Sequence, residues 1–275
     1  MLPVNFQVRN ESGLKVDIIN AEERITIYEF IQTGDSLRLR MPLFDSEFLG
    51  VVSSDRSFYS GVWRNYARPG KYEIPFEAEW GLSYRFCETN STIPPPKFPS
   101  RYRVEFSPEK ESDMYPALGL FETTPNSNRI TGTFITETGD YRYLEGNFCG
   151  SQLLMSCFDG SHAFYFSAQY QDGYLMNGQF KSGTHWSEPW TGIPDKDFEL
   201  SDPNSLTSIV DSSAIWRTTL FTDSGEQLSL DELGLDGKVS IIQILGTWCP
   251  NCIDETIAYQ EFYDQFHERG LEIIP

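Results

Sequence analysis

The sequence predicts a mainly β protein in which an antiparallel β-sandwich or barrel precedes a short β-α-β unit. Three observations indicate this fold. Alternating apolar and polar residues recur up to about residue 200, turn residues separate these runs, and a helical period follows only after residue 250. The 275 residues are enough for two ordinary domains. We therefore expect a β-rich domain over residues 1–200, a linker over 201–213 and an α/β unit over 214–275.

The β-rich region is predicted from short runs in which every second residue is apolar, as expected for strands with one buried face. The clearest runs are 15–20, 24–28, 36–41, 101–106 and 130–135. Asp159-Gly160 lies between two further runs and predicts a two-residue hairpin, because this dipeptide tolerates the positive φ angles of a type I′ turn. Proline-rich stretches predict a loop over 91–99 and a break over 186–213 that contains the linker.

Charge and hydropathy exclude several classes of partner. The net charge of -19 disfavours binding to nucleic acid or to an anionic membrane surface, because like charges repel. No apolar run is long enough to cross a membrane, so direct insertion is not expected. The first residues lack the basic start and apolar core of a signal peptide. This leaves open a cytoplasmic chain or an exported chain whose signal has been removed.

The C-terminal unit is predicted from a change in period. Residues 239–245 are almost continuously aliphatic, which is typical of a parallel strand buried on both faces. From Pro250 the apolar residues recur at helical spacing, and Gly270 is well placed to end this helix. A strand over 216–221 and a final strand over 271–274 complete the predicted unit.

Cys249 and Cys252 lie where the predicted strand meets the helix. Thiol exchange requires a thiolate, and a helix N-terminus lowers the pKa of a cysteine placed there. Pro250 suits the first helical turn, where its missing N–H costs nothing. The two intervening residues bring Cys252 one turn along, close enough to bond to Cys249. The pattern therefore predicts thiol–disulfide exchange, with Cys249 as the attacking sulfur and Cys252 as the resolving sulfur.

The segment Gly246-Thr247-Trp248-Cys249-Pro250-Asn251-Cys252 resembles the TlpA/ResA-like branch of the thioredoxin superfamily. The resemblance covers about residues 214–275. It implies a thiol–disulfide oxidoreductase, more often a reductase, that works in the periplasm or bound to the bacterial cell envelope. Its partners would be a protein disulfide substrate and an upstream thiol–disulfide electron donor. The dithiol itself would be the redox group, so no cofactor is implied.

The same resemblance implies the site residues around the dithiol. Trp248 matches the aromatic neighbour of the first cysteine and, with Pro250 and Asn251, would contact the substrate. Glu255 matches a glutamate that lies near the dithiol and tunes its proton transfer. Thioredoxins proper instead carry a buried aspartate on the preceding strand, where this sequence has Gln243, which cannot titrate. The alternative interpretation of Glu255 is a solvated helix carboxylate.

Two departures from the family pattern weaken the prediction of full activity. The dipeptide between the cysteines is Pro-Asn, where these families often have proline second, so the direction of electron flow stays open. A thioredoxin fold also continues past Ile274 with a helix, a cis-proline loop, two strands and a last helix. We therefore expect a truncated module with weak or no activity, whose unfinished sheet edges favour self-association.

Two other functions remain as hypotheses. A peroxidase needs proline and threonine at a fixed spacing before one reactive cysteine, but Thr247 lies too close to Cys249 and the proline is absent. A non-catalytic binding or scaffold protein, whose β-domain recognises a partner, is the alternative from a different class. No metal site is predicted, because the three histidines do not follow a metal-binding spacing: His162, His185 and His267.

The remaining cysteines are predicted to be structural. Cys149 and Cys157 are eight residues apart and could form a second disulfide. Their positions on neighbouring strands fit buried free cysteines better, because free cysteine behaves as a small apolar side chain. Cys87 is expected to be structural as well.

Overall fold

A computed structural model describes residues 2–10, 13–88, 97–208, 210–211, 219–222 and 224–275. Contacts divide the chain into two compact units, Met1–Leu200 and Ser201–Pro275. Antiparallel strands dominate the first unit, and the second holds the helices and a parallel strand pair, so the predicted fold class is confirmed. Within the described ranges, no helix is both long and apolar enough to cross a membrane.

The first unit begins with two antiparallel sheets whose strands pair in nearly sequential order. The three-stranded sheet consists of Asn5–Asn10 (β1), Leu14–Asn20 (β2) and Glu23–Ile27 (β3). The five-stranded sheet consists of Glu29–Thr33 (β4), Ser36–Arg40 (β5), Ser46–Val52 (β6), Phe58–Asn65 (β7) and Tyr72–Glu79 (β8). Their apolar residues join one buried cluster that includes Ile18, Ile27, Phe48 and Trp63.

Eight further strands close into an antiparallel barrel. They are Arg101–Phe106 (β9), Tyr115–Thr123 (β10), Arg129–Thr136 (β11), Leu144–Cys149 (β13), Gln152–Phe158 (β14), Ala163–Gln171 (β15), Tyr174–Ser182 (β16) and Trp186–Pro194 (β17), with the two-residue strand Gly139–Asp140 (β12) paired to β11. Pairing of β10 with β11 closes the barrel. Aromatic side chains fill the interior, where the rings of Phe134 and Phe166 stack with centroids 4.6 Å apart.

Buried polar contacts connect these sheets to the barrel within the first unit. The Asn20 side chain donates to the backbone oxygen of Phe158 at 2.9 Å and accepts from its N–H at 3.1 Å. The buried Arg85 guanidinium donates to the backbone oxygen of Ser156 at 3.1 Å and also to that of Ile19. Each of these pairs satisfies polar groups that would otherwise be buried without a partner.

The predicted strands are confirmed, but two details of the β-region are different. The hairpin between β14 and β15 has a four-residue turn over 159–162, because the Asp159 carboxylate accepts from the N–H groups of Ser161 and His162 at 2.7 and 2.6 Å. The predicted break is also wrong over its first part, where β17 is a barrel strand. Pro189 is tolerated there because pairing with β9 stops at the next residue, Trp190.

We expected Cys149 to be a free cysteine, and this prediction is wrong. Cys149 forms a disulfide with Cys87. The Cα atoms of the pair are 6.1 Å apart, although 62 residues separate them in sequence. The segment that carries Cys87 runs along β13, since the N–H of Phe86 donates to the Asn147 side chain at 3.1 Å. Cys157 is free and buried, as predicted.

The second unit contains the predicted β-α-β arrangement. Its elements are Pro203–Leu206 (α1), Thr219–Phe221 (β18), Gln227–Ser229 (β19), a 3-10 turn over Leu230–Leu233, Val239–Ile242 (β20), Pro250–Phe266 (α2), a 3-10 turn over His267–Arg269 and Leu271–Ile274 (β21). β20 and β21 pair in parallel. The helical segment ends at Gly270, whose φ of +95° suits glycine.

The predicted burial of β20 on both faces is wrong. The strand is shorter than residues 239–245, and Val239 and Ile244 are 70% and 94% exposed. Two other predictions, the loop over 91–99 and the strand over 216–221, lie partly outside the described residues, since 89–96 and 212–218 are not described.

Candidate active site

The dithiol lies at the first turn of α2. Cys249 is the N-cap residue, and its Sγ accepts a hydrogen bond from the N–H of Cys252 at 3.2 Å. The two cysteines are joined as a disulfide, with Cα atoms 5.3 Å apart. Pro250 is the first helical residue and is buried, while Asn251 is half-buried. The first turn of this helix carries no acidic side chain.

A tight turn delivers the chain from β20 to this helix. The N–H of Cys249 donates to the backbone oxygen of Gly246 at 2.9 Å, and the N–H of Ile253 donates to the oxygen of Cys249 at 3.2 Å. The indole of Trp248 packs over Gly246, where an added Cβ would come within 2.7 Å of the ring. A side chain at 246 would therefore require this ring to shift, and Trp248 remains 61% exposed beside the dithiol.

Glu255 lies one turn after Cys252, on the same side of α2. Although the residue is exposed, both of its carboxylate oxygens accept hydrogen bonds. One accepts from the Tyr259 hydroxyl at 2.8 Å and the other from the Gln243 amide at 2.9 Å. The bond to the carboxylate raises the pKa of the Tyr259 hydroxyl. Glu255 is thus bonded to two side chains, one on its own helix and one after β20.

Gln243 is a site residue that our sequence analysis passed over. It is 7% exposed, and its amide bonds to the backbone oxygen of Cys252 at 3.2 Å as well as to Glu255. The Thr256 hydroxyl donates to its side-chain oxygen at 2.9 Å. The available signal was a polar amide inside the mostly aliphatic run before the cysteines.

The C-terminal unit is similar in sequence to known proteins. Residues 212–275 match the model of the AhpC/TSA family. The C-terminal unit resembles a thioredoxin-superfamily domain. Over 75 residues the chain is 24% identical to the thiol-disulfide oxidoreductase ResA of Oceanobacillus iheyensis, which covers 27% of this chain. The chain spans 39% of the length of that relative. No solved structure matches the chain.

These matches support a redox function of the thiol–disulfide oxidoreductase or peroxiredoxin type for the thioredoxin-like unit. The AhpC/TSA match includes both cysteines of the dithiol and Glu255. The geometry adds the observation that the Gln243 amide bonds both to Glu255 and to the backbone oxygen of Cys252. Together they define the candidate active site as Cys249, Cys252, Glu255 and Gln243.

Proposed function

We propose that the thioredoxin-like unit exchanges disulfides with a partner protein through Cys249 and Cys252, and that it acts as a reductase. A single observation carries this proposal: the two cysteines form a disulfide across the first turn of a helix. That position favours the thiolate of Cys249 once the pair is reduced, because unpaired N–H groups and the helix dipole stabilise negative charge. ResA, the relative described above, is named for the same chemistry.

In the reductive direction the cycle has two steps. The Cys249 thiolate attacks a disulfide of the partner, forming a mixed disulfide and releasing one partner thiolate. Cys252 then loses its proton to Glu255 and attacks the Cys249 sulfur, which releases the second partner thiolate. Cys249 and Cys252 are oxidised and the partner is reduced. A thiol donor must then reduce the dithiol again before the next cycle.

We also propose that the protein works in an exported compartment of the cell envelope. The disulfide between Cys87 and Cys149 supports this location, because structural disulfides persist mainly in oxidising compartments. The first unit would then present the redox unit or recognise its partner.

The test is reduction of insulin disulfides by the full chain with dithiothreitol as the thiol donor. We expect wild-type protein to accelerate insulin reduction weakly and Cys249→Ser to abolish the acceleration. Cys252→Ser should accumulate a mixed disulfide with insulin on a non-reducing gel, and the double variant with both serines should not. If wild-type protein gives no acceleration and Cys252→Ser traps nothing, the binding or scaffold hypothesis is favoured instead.

A peroxidase is a second candidate, because the AhpC/TSA family model matches this unit. The immediate proximity of a second cysteine to Cys249 favours disulfide exchange over reaction with peroxide. Consumption of hydrogen peroxide by the reduced protein separates the two functions. Peroxide consumption that requires Cys249 and exceeds the rate of insulin reduction would favour the peroxidase.

A further inference from the structure

We infer that Gln243 is a positioning residue that holds Glu255 beside Cys252 for the second step of disulfide exchange. The inference rests on the proposed function and adds a residue to it. Gln243 follows directly after β20, and its backbone N–H donates to the oxygen of Ile274 at 2.9 Å. The residue is therefore fixed to the sheet by its backbone while its side chain reaches the helix that carries the dithiol.

The amide of Gln243 contacts three residues of α2. Its nitrogen donates to the backbone oxygen of Cys252 at 3.2 Å and to the Glu255 carboxylate at 2.9 Å. Its oxygen accepts from the Thr256 hydroxyl at 2.9 Å. The opposite orientation of the amide would place its oxygen against two acceptors, so the chemistry of the neighbours determines which end is nitrogen.

This contact differs from the other bond that Glu255 accepts. Tyr259 lies on the same helix four residues later, so it cannot fix the carboxylate relative to the sheet. Gln243 binds Glu255 from the strand, and the same nitrogen also binds the backbone of Cys252. The amide thereby ties the carboxylate to the residue whose thiol it must deprotonate. Since an amide does not titrate, the Gln243 side chain remains a hydrogen-bond donor at every pH at which exchange occurs.

The expected effect is confined to one step. Attack by Cys249 on the partner's disulfide uses a thiolate that the helix N-terminus already stabilises, so it does not need Glu255. Attack by Cys252 on the mixed disulfide requires transfer of its proton to the carboxylate. The sulfur–sulfur bond to the partner breaks as the Cys249–Cys252 bond forms. Loss of the Gln243 amide should therefore slow the second step and leave the first unchanged.

The test uses the reduced full chain mixed with one equivalent of the disulfide reagent DTNB, whose thiolate product is coloured. The first equivalent of colour reports attack by Cys249, and the second reports resolution by Cys252. In Gln243→Met, which keeps the chain length without the amide, we expect the second phase to slow about tenfold at pH 7, a part of what general base catalysis contributes. Its rate should also become steeper with pH, because hydroxide then replaces the positioned base.

The matched control is Gln260→Met. Gln260 is an exposed residue of α2 whose amide donates to Asp264 at 2.8 Å, so this variant should leave both phases unchanged. Thr256→Val removes the hydroxyl that contacts the Gln243 amide oxygen at 2.9 Å and the backbone oxygen of Cys252 at 2.8 Å, and it should slow the second phase by a smaller factor. In a Glu255→Gln background, Gln243→Met should add no further slowing, since both substitutions act through one carboxylate. The variant with both cysteines replaced by serine gives the background from other thiols.

Two results would overturn the inference while leaving the proposed function intact. One is an unchanged second phase in both Gln243→Met and Thr256→Val. The other is equal slowing of both phases with a lowered melting temperature, which would indicate a structural role. Absence of both phases in wild-type protein would instead overturn the proposed function, and this inference with it.

Discussion

The two units of the chain are built on different principles. In the barrel of the first unit, Phe106, Phe134 and Trp190 are completely buried. In α2, which the structure describes throughout, Pro250 alone is buried, and Phe262 is 47% exposed. The first unit is therefore stabilised by a dense aromatic core. The second places a polar network next to the cysteine pair for which we propose disulfide exchange.

The largest expected effect is on the core of the barrel. Phe134→Ala should lower the free energy of unfolding of the first unit by about 3–5 kcal/mol, because it removes a fully buried ring and leaves a cavity. Urea unfolding followed by the fluorescence of the buried Trp63 and Trp190 measures this change. Exchange at the dithiol should be unaffected under conditions where the protein stays folded. A change below 1 kcal/mol would show that the core tolerates the loss by collapsing.

The two disulfides should differ in how much they stabilise the chain against unfolding. Replacing Cys87 and Cys149 by alanine should destabilise the first unit by about 2–4 kcal/mol, because the bond closes a long loop in the unfolded chain. Replacing Cys249 and Cys252 by alanine is the matched control, since their separation is only three residues. This second pair should have a much smaller effect on unfolding and should abolish exchange. Equal losses of stability would contradict the assignment of a structural and a reactive disulfide.

Acid should weaken the first unit through Glu145. Burial raises the pKa of this carboxyl, but Arg129 at 2.9 Å and the nearby Arg85 outweigh it and hold the pKa below its ordinary value of 4.5. Because the folded pKa is the lower one, the charged carboxylate stabilises the fold above pH 4.5, and this stabilisation is lost as pH falls through the folded value. Stability measured against pH should therefore decline below pH 4.5.

Substitution separates this contribution from the other carboxyls. Glu145→Gln should cost about 1–3 kcal/mol at pH 7 and make the decline in acid shallower, since one linked group is gone. Glu122→Gln, at an exposed position on β10, should change stability by less than about 0.5 kcal/mol. An acid profile that is identical in wild-type protein and Glu145→Gln would exclude this carboxyl as a source of the pH dependence.

The smallest effect is expected at the exposed ring of α2. Phe262→Ala makes the same chemical change as Phe134→Ala, but the ring is half in solvent and alanine favours a helix. We expect a loss of stability below about 1 kcal/mol and an unchanged rate of insulin reduction. A loss as large as that of Phe134→Ala would mean that α2 packs against apolar surface in solution.

Local patterns determined what could be predicted. Strands such as β9 and β11 follow from alternation within a few residues, and the dithiol follows from a strand, two cysteines and a helix start in direct succession. The disulfide between Cys87 and Cys149 could not be predicted, because their proximity depends on how two distant segments pack. Pro189 was misinterpreted for a related reason, since its tolerance depends on where the neighbouring strand ends.

Gln243 was passed over for a chemical reason. The sequence reasoning looked for a group that titrates, whereas this amide acts through its hydrogen bonds. Its three partners lie 9, 12 and 13 residues later, so only the packing of helix on strand brings them together. The exposure of Val239 could not be predicted from the sequence either. An aliphatic run shows that a strand could be buried, but it does not show which elements cover the strand.

The free thiol of Cys157 offers a built-in reporter of opening of the barrel. Its side chain is enclosed in the barrel core, and burial raises the pKa of the thiol well above its ordinary value. In the folded protein an alkylating reagent therefore cannot reach it, although reduced cysteines nearer the surface are accessible. The rate at which Cys157 becomes labelled would time the transient unfolding of the barrel without any added probe.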